Sequence, residues 1–265
     1  MKVAITGAAG RMGRRLIRGV LEAEDMELVA AIERADHPEM GRDAGTLAGL
    51  DAAGVPVTDS LDSIAEADVL IDFTFHNAVP AHAEAAARGG VALVLGTTGL
   101  AEAEAAVVRK TAESVPVVWA PNMSVGVNLL FALVRKTASI LGPSYDIEII
   151  ETHHRHKKDA PSGTARRLAE KAAEGRGRSF DEIAVFGRVG ITGERPVGEI
   201  GIHAVRAGDT VGDHTVLFAT DGERVELAHR ATSREAFSRG ALHAARWVVG
   251  RPAGLYDMQD VLDLR

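Results

Sequence analysis

The chain has 265 residues, 46% hydrophobic and 25% charged, an ordinary globular balance that excludes disorder and collagen-like or mucin-like repeats. Acidic residues outnumber basic ones by 37 to 30, a formal charge of −7, which argues against a nucleic-acid partner needing a basic face. There is no cysteine, so disulfides, thiolate zinc sites and thiol nucleophiles are all excluded. The sequence opens MKVAITG, directly on a strand, with no charged leader and apolar core ahead of it. Apolar runs such as Val91 to Leu95 fall far short of the roughly 20 residues that cross a bilayer. The expectation is a cytoplasmic protein with no membrane partner.

Val3 to Ile5 is a short apolar run, followed by glycines. Met12, Leu16, Ile17, Val20 and Leu21 then recur at helical spacing, with arginines and Glu22 on the other face. Leu28 to Ile32, Val69 to Ile71, Val91 to Leu95 and Val115 to Trp119 read as buried strands. An alanine-rich helix ending at Gly89-Gly90 and a second helix over Ala101 to Glu113 separate the later ones. This alternation predicts βαβ units and a parallel sheet covered on both faces. Beyond about residue 140, strands dominate: Ile147 to Ile150, Ile183 to Val185, Ile200 to Val205, Val216 to Ala219 and Val225 to Ala228. Asp221-Gly222 predicts a two-residue hairpin with positive φ at both positions. Arg234 to Val249 is helical again and returns to the first domain. The fold class expected is α/β: a Rossmann-like parallel-sheet domain, residues 1–124 and 234–265, and a second α+β domain, residues 125–233, with a mixed, largely antiparallel sheet. In the second domain Val216/Phe218 and Val225/Leu227 alternate with polar residues and few helices are evident to cover them. Symmetric self-association is therefore expected.

Gly7-Ala8-Ala9-Gly10-Arg11-Met12-Gly13 lies between the first strand and first helix. Glycines here permit a tight turn and close backbone approach to a pyrophosphate, and the helix start supplies amides and a dipole. The spacing is G-x-x-G-x-x-G, with Ala8 where the usual dinucleotide pattern has glycine, and a plain strand-to-helix turn would carry the same glycines. Glu33 ends the second strand about 20 residues on, where an acid grips ribose hydroxyls. Arg34 beside it stands where a 2′-phosphate needs a cation. Gly96-Thr97-Thr98-Gly99 and Ala120-Pro121-Asn122-Met123-Ser124 also follow strands, at the ends where open α/β sheets bind ligands. Each read alone is equally an ordinary capped turn.

The most unusual segment is Glu151-Thr152-His153-His154-Arg155-His156-Lys157-Lys158-Asp159-Ala160-Pro161-Ser162-Gly163-Thr164. Three histidines and two lysines fall within six residues of an acidic chain. A helix from about Thr164 to Ala173 offers the Gly163 and Thr164 amides to an anion, so the segment suits a small substrate with more than one carboxylate and supplies proton donors near neutrality. A metal is the competing reading. Neighbouring strand residues point to opposite faces, so His153 and His154 do not readily share one ion, and no metal is expected. His203, His214, His229 and His243 stand singly and read as structural.

On these residues the chain resembles the dihydrodipicolinate reductases, also called 4-hydroxy-tetrahydrodipicolinate reductases. The resemblance spans essentially its whole length, from the glycine loop through Glu33-Arg34, Gly96 to Gly99, Asn122, Ser124 to Asn128 and His153 to Thr164, to Gly254-Leu255-Tyr256-Asp257-Met258. It implies reduction of a cyclic dicarboxylate in the diaminopimelate route to lysine by a homotetramer using NADH or NADPH. It further implies that His153 gives or takes a proton and that Lys157 is a second donor. His154, Gly163 and Thr164 would hold the substrate carboxylates. Gly7, Ala8, Ala9, Gly10, Arg11, Met12, Glu33, Arg34, Gly96, Thr97, Thr98, Ala120, Pro121, Asn122 and Met123 would contact the cofactor. Pro121, Met123 and Lys158 depart from the family's commoner residues. Among rivals, aspartate-semialdehyde dehydrogenase needs a cysteine that is absent. Homoserine and aspartate dehydrogenases lack the histidine–lysine cluster, and a silent dinucleotide-binding regulator would have no use for it.

Overall fold

A computed structural model describes residues 1–265. The chain forms two compact units, one from Met1–Ser124 and Glu235–Asp263, the other from Val125–Arg234 with Leu264–Arg265. The first unit runs β1 (Lys2–Thr6), α1 (Gly13–Leu21), β2 (Glu27–Ile32), α2 (Ala44–Leu47), β3 (Val57–Thr58), β4 (Val69–Asp72), α3 (Val79–Gly89), β5 (Ala92–Leu95), α4 (Glu102–Thr111) and β6 (Pro116–Trp119). The second contains α5 (Val125–Leu141), β7 (Asp146–His153), α6 (Gly163–Gly175), α7 (Phe180–Ile183), β8 (Ala184–Phe186), β9 (Ile200–Arg206), β10 (Gly212–Thr220) and β11 (Glu223–Ala231). The chain then returns to the first unit with α8 (Glu235–Val248), β12 (Gly254–Tyr256) and α9 (Met258–Val261).

The first unit is a seven-stranded sheet in the order β12-β6-β5-β4-β1-β2-β3, every pair parallel. Successive residues of β1 serve opposite layers, as the strand period of two requires. Val3 and Ile5 pack with Leu16, Ile17 and Val20 of α1 and Ala241, Ala244 and Val248 of α8, whereas Ala4 packs with Val79 and Ala83 of α3. The chain builds outward from β1 through β2 to β3, then crosses to β4 on the other side. This reversal opens a crevice beyond the carboxyl ends of β1 and β4, the general ligand position of open α/β sheets.

The second unit holds a mixed five-stranded sheet, β11-β10-β7-β9-β8, in which β10 is antiparallel to both neighbours while β7–β9 and β8–β9 are parallel. Ile147, Ile149, Ile200, Ile202, Val216 and Phe218 form one core with Leu130, Phe131 and Val134 of α5 and Leu168 and Ala169 of α6. Phe218 is wholly buried, and its burial contributes about 2–3 kcal/mol.

Several details differ from the sequence reading. The face carrying Val216 and Phe218 is not left for another subunit, because α5 and α6 of the same chain cover it. Helix α5 goes beyond the capped turn expected at Ala120 to Ser124, since it is apolar on more than one side and has no clean helical stripe to mark its length. The stretch Val125–Ser144 is long and apolar enough by composition to cross a bilayer, which the apolar-run count overlooked; here Val127, Leu130, Phe131, Val134 and Ala138 face the core. The β10–β11 hairpin does close over Asp221-Gly222, with Thr220 opposite Glu223. Only Gly222, however, has positive φ (+89°), so one residue and not both takes the left-handed conformation. A smaller change is that Ile183 ends a helical turn, and the short strand starts at Ala184.

Candidate active site

In the first unit, the glycine loop leaves β1 at the crevice. Gly7 has φ +67°, and a Cβ on Gly13 would stand 2.1 Å from the Gly7 carbonyl oxygen, so the turn closes only on bare backbone. Helix α1 begins with no capping side chain and no acid in its first turn, which leaves its dipole to favour an anion. Glu33 reaches back to the loop: its Oε2 accepts from Ala9 N at 3.1 Å and its Oε1 from Arg34 N at 3.1 Å. A cavity of about 680 Å³ is lined by Gly7, Glu33, Arg34, Asp59, Thr74 and His76, among others. The Arg34 guanidinium is exposed and lies 3.2 Å from Asp36. A dinucleotide fits these residues: backbone without Cβ atoms for a pyrophosphate, an acid for ribose hydroxyls, and a cation at the rim.

The other sequence-predicted cofactor residues divide by exposure. Thr97 lies almost buried after β5, with its Oγ1 donating to the Thr74 carbonyl at 3.0 Å. Ala8, Ala120 and Met123 are buried in the core, so any ligand reaches them through backbone only. Asn122 uses its Oδ1 to accept from Ser124 N at 2.9 Å, fixing the turn after β6.

In the second unit, β7 carries Glu151 and His153 on one face, two residues apart. Glu151 is fully buried and its carboxylate is the hub of the site. It accepts from His153 Nδ1, from Ser162 N at 3.0 Å, and from both terminal nitrogens of Arg206 at 3.1 and 2.9 Å. Burial pushes the Glu151 carboxyl up, but Arg206, His153 and the Ser162 amide together outweigh it and hold the group below its ordinary value. Arg206 arrives by register, because it stands directly opposite His153 in the parallel β7–β9 pair.

The carboxylate partner assigns the His153 ring proton to Nδ1 and leaves Nε2 as the working nitrogen. Burial lowers the His153 pKa; the Glu151 bond and charge oppose this, while Lys157 and Arg206 add to it, and the net shift is downward. A Cβ at Gly212 would lie 3.1 Å from that Nε2, so the glycine makes room for the ring. His214 meets His153 edge-on at 5.2 Å between centroids, and its Nε2 is 3.2 Å from Ser162 Oγ. Burial lowers the His214 pKa to about 4, so at neutral pH it is an uncharged wall.

Ser162 caps α6 by accepting from Ala165 N at 3.2 Å, which sets Gly163 and Thr164 in a first turn free of acidic residues. His154, which follows the end of β7, has a buried Nδ1 without a hydrogen-bond partner in the chain. Lys157 pairs with Asp159 at 2.9 Å and is mostly buried. The segment therefore gathers His153, His154, Lys157 and the α6 start around β7. The sequence reading missed Glu151 and Arg206 as participants and set His214 aside as structural. The two-residue offset from His153 was a usable signal for Glu151; Arg206 had none, because strand register is not written locally.

Comparison with known proteins follows the same division. The family described as "Dihydrodipicolinate reductase, N-terminus" matches residues 1–123, and "Dihydrodipicolinate reductase, C-terminus" matches residues 126–262. The chain is 56% identical over 265 residues to the 4-hydroxy-tetrahydrodipicolinate reductase of Anaeromyxobacter dehalogenans (strain 2CP-1), covering 100% of this chain and 98% of that one. It is 54% identical over 266 residues to the protein of the same name from Burkholderia multivorans, covering 100% of both. Among solved structures, a dipicolinate-bound dihydrodipicolinate reductase from Paenisporosarcina sp. TG-14 superposes with a TM-score of 0.77 at 27% identity, covering 98% of each chain.

Proposed function

The chain belongs to the dihydrodipicolinate reductase family, and from that membership we infer that it reduces 4-hydroxy-tetrahydrodipicolinate to tetrahydrodipicolinate with a nicotinamide cofactor, in the diaminopimelate route to lysine. The observation that carries this reading is the buried Glu151–His153 pair beside the α6 start, in a chain that matches both halves of the family. The first unit takes the cofactor through Gly7 to Met12, Glu33, Arg34, Gly96 to Thr98 and Ala120 to Met123. The second unit takes the substrate, a small cyclic dicarboxylate. The reaction belongs to the cytoplasm.

Loss of the 4-hydroxyl as water conjugates the ring imine, a bound nicotinamide would supply that imine with a hydride, and the enamine so formed takes a proton, with binding, orientation and the proton left to the residues of this chain. The Gly163 and Thr164 amides and His154 hold the two carboxylates, with the α6 dipole favouring negative charge. His153 moves a proton at Nε2, and Glu151 steadies the imidazolium that this requires. Lys157 is the second proton donor; the carboxylates draw its ammonium away from Asp159. Arg206 keeps Glu151 ionised so that it orients His153 without taking the proton itself.

Both NADH and NADPH serve as cofactor. Glu33 accepts ribose hydroxyls and repels a 2′-phosphate, Arg34 at the same rim offsets that repulsion, and solvent limits each effect to a few kcal/mol. The chain forms a homotetramer through the outer face of its second sheet. That face carries Ile150 and Val205, 40% and 42% exposed. Beside it, Arg188 and Arg195 tie a segment to Glu148, with Val189, Ile191 and Val197 almost fully exposed.

The test is oxidation of NADH or NADPH with substrate freshly made from pyruvate and aspartate semialdehyde. His153→Gln and Lys157→Ala each lower kcat by roughly 10²-fold, the scale of acid–base catalysis, while cofactor binding is kept. No oxidation by the wild type, or either variant within a few-fold of it, rejects the corresponding part of the reading. Sedimentation showing monomer alone at micromolar concentration rejects the tetramer.

A further inference from the structure

One fully buried carboxylate takes no part in the chemistry above. Asp72 ends β4 at the mouth of the crevice and has no solvent exposure. A carboxylate survives there only with its oxygens satisfied. Oδ1 accepts from Thr74 N at 2.8 Å and Thr74 Oγ1 at 2.7 Å, and lies 3.4 Å from Thr97 Oγ1. Oδ2 meets His82 Nδ1, from α3, at 2.7 Å. His82 is its only ion-pair partner.

These partners share one property. Thr74 is the turn after β4, Thr97 is in the loop after β5, and His82 and Thr74 both line the large cavity. The single Thr97 hydroxyl proton is shared between the Asp72 carboxylate and, closer at 3.0 Å, the Thr74 carbonyl, while the Asp72 carbonyl accepts from Gly96 N at 2.9 Å. Thr74 in turn abuts the glycine loop, since a Cβ on Gly7 would come within 3.0 Å of its methyl group. The sheet itself needs no charge at this position, because an apolar residue would close β4 as well. Burying the carboxylate costs desolvation, and every bond it receives comes from a group at the crevice.

We propose that Asp72 is a positioning residue for the nicotinamide cofactor: its carboxylate locks Thr97 and Thr74 together and so sets the gap between the β5 loop and the glycine loop before the cofactor arrives. This rests on the reading of those loops as the dinucleotide site. Preorganised loops bind more tightly because less ordering remains to be done on binding. The defect from losing Asp72 therefore falls on cofactor affinity and leaves dicarboxylate affinity alone.

The experiment is a double-mutant cycle on the full chain, with NADH affinity read by fluorescence and pyridine-2,6-dicarboxylate affinity read by calorimetry. Wild-type protein is measured first; failure to bind NADH rejects the dinucleotide reading itself and not merely the role of Asp72. Asp72→Asn weakens NADH binding about tenfold or more and changes diacid affinity by less than about twofold. Thr97→Val, which keeps the shape and removes the hydroxyl, weakens NADH binding several-fold. The double variant is no worse than Asp72→Asn alone by more than about twofold, because one chain of bonds is cut twice. Fully multiplicative losses, NADH affinity within twofold of wild type in Asp72→Asn, or equal losses for NADH and diacid overturn the proposal. If Asp72→Asn shows no cooperative thermal transition, Thr74→Val takes its place in the cycle with the same criteria.

Discussion

Replacing Glu151 by glutamine tests the hub of the second unit with little change of shape. The carboxylate now takes two bonds from Arg206, one from Ser162 N and one from His153. The amide keeps one acceptor oxygen and turns an NH2 toward donors. It also leaves the Arg206 charge without its counter-ion, and breaking a buried pair in this way costs about 3–5 kcal/mol of stability. The catalytic loss follows from His153. Among the influences on that ring, the Glu151 bond and charge raise its pKa, while burial, Lys157 and Arg206 lower it. Without Glu151 the pKa falls further, because the bond and charge that raise it are gone, and a smaller fraction of the ring is protonated at neutral pH. The expected kcat is about 10- to 100-fold below wild type, and the limb of the pH–rate profile set by His153 moves toward acid. NADH binding, which belongs to the other unit, is unchanged. The assay is loss of NADH absorbance with freshly condensed substrate across pH, alongside urea unfolding. A kcat within threefold of wild type together with an unmoved limb would refute the assignment of Glu151 to His153.

Gly212→Ala places a methyl group 3.1 Å from His153 Nε2, so kcat drops about tenfold through displacement of the ring while stability, followed by urea unfolding, changes by about 1 kcal/mol or less. Arg34→Ala weakens NADPH and spares NADH. The wild-type kcat/KM values for the two differ by no more than about tenfold, and a thousandfold preference or an equal loss of both would contradict this. Stability falls on acidification. His214 has its folded pKa depressed to about 4 from 6.5, so the unfolded chain takes up the proton first, and stability is lost as pH drops through that window. The full effect is about 3 kcal/mol, checked by urea midpoints between pH 7 and 4, where a flat midpoint contradicts it.

Much of this was legible because the signals are local. The short continuous apolar runs marked β1, β2, β4, β5 and β6 within a residue or two, and the glycine spacing marked the turn into α1, where bare backbone is needed. The histidine segment announced itself by composition. What stayed hidden depends on distant pairing. Arg206 reaches Glu151 across 55 residues of sequence only because β9 runs parallel to β7 in that register. Val216 and Phe218 looked like an open face because α5, their cover, is apolar on more than one side, with Leu129 and Leu133 exposed, and so lacks a clean helical stripe. The pairing of β12 with β6 is likewise invisible locally, three residues at a sheet edge.

The discontinuity of the first unit bears on how the polypeptide is made. A ribosome that has released residues 1–124 has not yet supplied α8 or β12. Yet the α8 backbone lies against the Met123 carbonyl at Gly240, and Leu242 fills the notch left by Gly19. Until that helix emerges, the layer containing Val118, Ala120 and Met123 has nothing on its outer side, and β6 presents an open edge. Residues 125–234 form an unbroken stretch with their own core and can close without waiting. The unit that begins the chain is therefore the last whose residues are all available, and until then its incomplete form carries the exposed apolar layer.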